Sequence, residues 1–241
     1  MNFLGKIEKR QTQACEIEPP RSRENPLLNR EKARGGVPGP AFFPEGMGLL
    51  NPGKWIGGAR PLIMVVGHNF GSCGYRDGLE PKEFKKKRNG REDDEKTWKY
   101  LASSLDVANI TIDQRKVSID DCFMTNWFIG LLPGEKKYEA QCLDLLKQQI
   151  KEIQPRLILL LGKVVVQKTS QHFSDLESWG WKTKTEPSWP KIHRAGVLSL
   201  TSLSANPIAV IGLSHTGFGF KPDVLKTNLR ALSQVQLEVG L

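Results

Sequence analysis

An α/β fold, three layers deep around a mostly parallel four-stranded sheet, is what three features of this 241-residue chain predict. Short apolar runs end abruptly at glycine or at polar residues. Segments with helical spacing separate those runs. The runs are apolar throughout instead of alternating with polar residues, as strands covered on both faces are. A regular alternation of strand and helix favours a sheet with helices on each side.

Residues 1 to about 59 carry Pro19-Pro20, Gly35-Gly36 and Pro38-Gly39-Pro40, which break any regular period, so they read as an irregular N-terminal arm. Residues 60–241 then form one α/β domain, a usual size for this class. Leu62 to Gly67 is the first strand. A polar loop over 71–91 follows, with Lys82, Lys85, Lys86, Lys87 and Arg88, and feeds a helix in which Trp98, Leu101, Ala102 and Leu105 recur behind Asp93, Asp94 and Glu95. Acids at that end favour the helix dipole.

Asp121 to Phe128 reads as a second buried strand, closed by a loop with Gly130, Pro133 and Gly134. Tyr138, Cys142, Leu145, Leu146, Ile150 and Ile153 then repeat at helical spacing up to Pro155. The run Leu157 to Leu161 is a third strand, ended by Gly162, with a short helix over about 163–172. A Trp-rich segment (Trp179, Trp181, Trp189) reads as a hairpin or loop and as local packing. Pro207 to Leu213 is the fourth strand, and a last helix from about Pro222 to Val235 closes the domain.

Composition narrows the partners. Lys and Arg outnumber Asp and Glu by 35 to 26, a formal charge of +9, which suits a phosphate-rich partner and equally a lysine-rich soluble surface. No apolar run has the length of a membrane span and the first residues lack an apolar signal core, so the expectation is a cytosolic protein, nuclear if the cell has a nucleus. Cys15, Cys73, Cys122 and Cys142 show no zinc-site spacing and read as free thiols, with no metal and no cofactor. His172 and His193 read as structural.

Three strands end in polar groups that a parallel sheet would carry to one edge: Gly67-His68-Asn69, then Asn126, then His215. Open α/β sheets bind ligands outside the carboxyl ends of their strands. Two amides and an imidazole include no acid, thiolate or activated hydroxyl, so they suit neither a metal nor nucleophilic attack. They suit a planar heterocycle: an amide pairs with a base edge, and a neutral imidazole donates to a developing oxyanion. Taken singly, an asparagine at a strand end more often caps a turn.

In this order the residues resemble the uracil-DNA glycosylase superfamily. Gly67-His68-Asn69-Phe70-Gly71 is similar to the Gly-x-Asn-Pro-Gly loop of its mismatch-specific and single-strand-selective branches, Thr125-Asn126 to the middle motif, and Ser214-His215-Thr216-Gly217 to the closing His-Pro-Ser loop. The segment from Glu139 to Gly162 resembles the connection between the second and third motifs of bacterial members, and the likeness spans about residues 61–230. It implies a monomeric, monofunctional base-excision repair enzyme that flips uracil or a related deaminated base out of DNA. Asn69 would position the attacking water, Asn126 would read the base edge, and His215 would stabilise the departing base. Gly67, His68 and Phe70 would complete the pocket, with Tyr75 or Phe84 stacking on the base. Lys85, Lys86, Lys87, Arg88 and Lys221 would follow DNA phosphates, and Thr216, Gly217, Phe218 and Phe220 would enter the minor groove.

The chain departs from the pattern at Phe70, where the family has Pro, and at Thr216-Gly217, where it has Pro-Ser. Gly130 falls where the cluster-bearing branch has a cysteine, which argues against an iron–sulfur cluster. Two other readings stay open: a glycosylase-fold protein that binds nucleic acid without cleaving it, and a small-molecule nucleotide hydrolase whose basic loop holds a substrate phosphate.

Overall fold

The computed structural model of the chain describes residues 60–68, 95–128, 139–173, 195–198 and 208–213. The N-terminal arm, the basic loop, the Trp-rich stretch with His193 and the closing helix lie outside these residues. Elements in chain order are β1 (Ile63–Gly67), α1 (Glu95–Ala108), β2 (Thr111–Ile112), β3 (Arg115–Lys116), a 3-10 turn (Ile119–Asp121), β4 (Cys122–Asn126), α2 (Glu139–Ile153), β5 (Leu157–Leu161), α3 (Lys163–His172), β6 (Ala195–Leu198) and β7 (Ile208–Leu213).

The four strands expected from the apolar runs are present and parallel, in the order β4-β1-β5-β7. A fifth strand extends the sheet. β6 pairs antiparallel with β7, Ala195 opposite Ile211 and Leu198 opposite Ile208, so an antiparallel edge lies on an otherwise parallel sheet. The segment containing β6 has too little apolar patterning to announce a strand by itself.

Every described residue of β1, β4, β5 and β7 is buried, and alternation sorts their side chains into two apolar layers. Met64, Val66, Phe123, Ile158, Leu160 and Val210 meet Leu145, Leu146 and Ile150 of α2 and Val165 of α3. Ile63, Val65, Met124, Leu159 and Ile211 meet Leu101 and Leu105 of α1. The sheet is thus covered on both faces, the three-layer α/β/α arrangement. The crossover from β1 to β4 and the crossover from β4 back past β1 to β5 run in opposite directions along the sheet, so right-handed connections put α1 and α2 on opposite faces.

Local chemistry sets the boundaries. Asp121 accepts from the Ser118 backbone N–H at 2.8 Å and from its hydroxyl at 3.2 Å, while the Ser118 hydroxyl accepts from the Asp120 N–H at 3.3 Å. This capping box starts the 3-10 turn, whose last residue, Asp121, immediately precedes β4. The small β2–β3 hairpin, which the sequence did not announce, turns through Asp113 and Gln114, both at positive φ. Glutamine is an unusual occupant of that backbone region, and the hairpin signal is correspondingly weak. α2 stops at Gln154, also left-handed, whose N–H bonds to the Ile150 carbonyl before Pro155 prevents continuation. Among the described residues no helix is long and apolar enough to cross a membrane.

Candidate functional site

The carboxyl edge of the parallel sheet is where the topology changes direction. β1 leads to α1 on one face, whereas its neighbours β4 and β5 lead to α2 and α3 on the other. The crevice outside β1 is therefore a topological switch point, the position at which sheets of this type take ligands.

Two of the expected site residues meet there. Gly67 and Asn126 are register partners at the ends of β1 and β4. The Asn126 carboxamide lies on the α1 side and is 2 % exposed. Its Oδ1 sits 2.6 Å from the point a Cβ on Gly67 would occupy. The pairing continues past the strands: the Trp127 N–H donates to the Gly67 carbonyl at 2.8 Å and the Phe128 N–H to the His68 carbonyl at 2.9 Å. Both segments therefore leave the sheet side by side, with their backbones fixed against each other.

His68 is divided from Asn126 by the sheet. Its ring stands edge-on to Phe128, with centroids 5.6 Å apart, and Phe128 belongs to the apolar layer under α2 and α3. The backbone of His68 borders the crevice while its imidazole packs on the other face.

Behind the Asn126 tip lies a group of residues the sequence did not single out. Trp127 is fully buried; its ring stacks on His172 at 5.9 Å and meets Phe173 edge-on at 6.4 Å. His172 contacts Glu139 through Nε2 at 2.8 Å, and Lys168 donates to both Glu139 oxygens at 2.7 and 2.8 Å. The Lys168 ammonium, with a smaller contribution from His172, holds the Glu139 carboxyl below its ordinary value against an opposing effect of burial. His172, read from the sequence as structural, thus has both a carboxylate and an indole beside it. The group joins the start of α2 to the end of α3, a juxtaposition of residues 29 and 33 positions apart that helical spacing does not reveal. One layer inward, the Thr125 hydroxyl donates to Oε1 of buried Gln149 at 3.1 Å, tying β4 to α2.

β5 and β7 reach the same edge. Gly162 follows β5 with φ 94° and ψ 161°, a backbone that suits glycine, and donates to the Leu213 carbonyl at 2.8 Å. β7 ends at Leu213, two positions before His215 in the chain. Asn69, Phe70, Tyr75, Phe84, Lys85, Lys86, Lys87, Arg88, His215, Thr216, Gly217, Phe218, Phe220 and Lys221 lie outside the described residues.

Among the described residues no group of three or more His, Cys, Asp or Glu side chains could hold a metal ion, and Cys122 and Cys142 are buried. Compared with protein-family models and with curated proteins, the chain matches none.

Proposed function

We propose that the chain is a monofunctional DNA glycosylase that hydrolyses the N-glycosidic bond of uracil, or of a related deaminated base, after flipping the nucleotide out of the helix. The observation that carries this reading is the Gly67–Asn126 pair at the switch point. It sets a desolvated amide beside the strand that leads directly to Asn69, on an edge that the strand before His215 also reaches.

In this reading Asn126 pairs with the N3–O4 edge of uracil, and cytosine is rejected because its amino group meets the amide nitrogen. Burial strengthens that discrimination, since a hydrogen bond held away from water carries more weight. The C1′–N1 bond breaks with its electron pair passing to the base, and His215 donates to O2 as charge develops there. Water held by the Asn69 amide oxygen then adds to C1′ and loses a proton, leaving an abasic sugar and free uracil. An amide is a weak base, which suits a reaction in which bond breaking runs ahead of water attack. The net positive charge favours DNA as the partner.

Phe70, Thr216 and Gly217 favour a second reading, binding of damaged DNA without cleavage, because they replace the residues the resembling loops use. Single-turnover release of uracil from single- and double-stranded oligonucleotides separates the two. Release by the wild type, with Asn69→Ala and His215→Ala each slower by on the order of 10²-fold while DNA binding persists, is the expected result. Tight binding with no release at any pH excludes cleavage. Activity on free nucleotides with no DNA binding assigns the chain to small-molecule chemistry.

A further inference from the structure

Gly67 is an unusual residue for its place. Ile63, Met64, Val65 and Val66 before it are large and buried, and a glycine closing such a strand brings no side chain to pack. Positive φ does not explain it, since Gly162 is the positive-φ glycine among the described residues. Close approach of another group is one physical reason for a glycine in a strand, and the Asn126 carboxamide supplies it here.

The conflict that a side chain would cause is confined to one atom. A Cβ on Gly67 would stand 2.6 Å from Asn126 Oδ1, while Asn126 Cγ and the Thr125 carbonyl oxygen would be at an ordinary 3.7 Å. The backbones cannot separate readily, because the Gly67 carbonyl already accepts the Trp127 N–H at 2.8 Å. The strain therefore falls on the side-chain torsions of Asn126, which is 2 % exposed and has little room to swing into solvent.

We infer that Gly67 is a positioning residue for base recognition: the space left by its missing side chain sets the angle of the Asn126 carboxamide. The inference rests on the proposed reading of Asn126 as the residue that meets the base edge. Gly67 itself touches the base through no side chain and acts through Asn126. Glycine at the end of β1 is then a specificity determinant, and an alanine there misdirects the amide without removing it.

The test compares the full-length wild type, Gly67→Ala, Asn126→Ala and the double variant. In the free protein, the Asn126 side-chain amide resonances should move in Gly67→Ala. Single-turnover uracil release should fall about as far in Gly67→Ala as in Asn126→Ala, with a reduced preference for uracil over cytosine. In the Asn126→Ala background, Gly67→Ala should change the rate by less than about twofold, because interacting sites are non-additive. Should Gly67→Ala fold poorly, the double variant should recover the melting temperature, since the obstructing oxygen is gone. An unmoved Asn126 amide, an equal loss of rate in both backgrounds, or a double variant as unstable as Gly67→Ala overturns the inference. A wild type that releases no uracil defeats the glycosylase reading instead, and the resonance and melting measurements then decide the Gly67–Asn126 coupling by themselves.

Discussion

The two edges of the sheet use polar groups differently. At the amino edge, Asp121 is buried and accepts from Ser118 and, at 2.9 Å, from the Arg115 guanidinium; Arg156 lies 3.6 Å from Asp113, and the Leu62 carbonyl accepts the N–H groups of Arg156 and Leu157. These interactions close turns and start strands. At the carboxyl edge, Asn126 is wedged against a glycine at the point where the helical connections diverge to opposite faces. An amino-edge carboxylate that caps its own turn holds the fold, whereas a buried amide at a switch point is, in the proposed reading, the group that meets a ligand.

Three substitutions set these edges against each other. Asn126→Ala has the largest expected effect: a loss of about 10²-fold or more in single-turnover uracil release, with an unfolding midpoint close to wild type. A large fall in stability with unchanged release would move Asn126 into the structural class of Asp121. Asp121→Ala should do the reverse. Losing the bonds to the Ser118 N–H and Arg115 should cost about 1–3 kcal/mol in urea unfolding, with release per folded molecule unchanged.

The smallest effect belongs to Glu139→Gln. The Glu139–Lys168 pair is partly exposed and worth about 1 kcal/mol or less. Because the folded protein holds the Glu139 carboxyl below its ordinary value, its contribution is complete above the unfolded-state pKa and is lost as pH falls through the lower folded value. Acid unfolding curves of wild type and Glu139→Gln should therefore converge in that acidic window and separate slightly at neutral pH. A constant separation down to the lowest pH would show that the pair contributes through packing instead of charge.

Much of the architecture was legible because buried parallel strands cannot alternate with polar residues. Leu157 to Leu161 and Ile208 to Leu213 declare themselves by composition, and Cys142, Leu145, Leu146, Ile150 and Ile153 declare α2 by period. Asn126 was legible as a polar end to an apolar run. The Trp127–His172–Glu139–Lys168 group was not, because its members come from the tip of one strand and the ends of two helices. β6 was missed because a short edge strand takes its stability from pairing with β7 instead of from its own pattern.

The order of apolar runs and polar strand ends thus determined a covered parallel sheet and which strands end in polar side chains. Which strands are neighbours was decided by tertiary structure: the parallel pairing of β4 with β1 and its register set Asn126 beside Gly67, while the His68 ring meets Phe128 on the opposite face. The reason is physical. Burial and periodicity are written residue by residue, whereas register depends on how two apolar layers pack across a sheet.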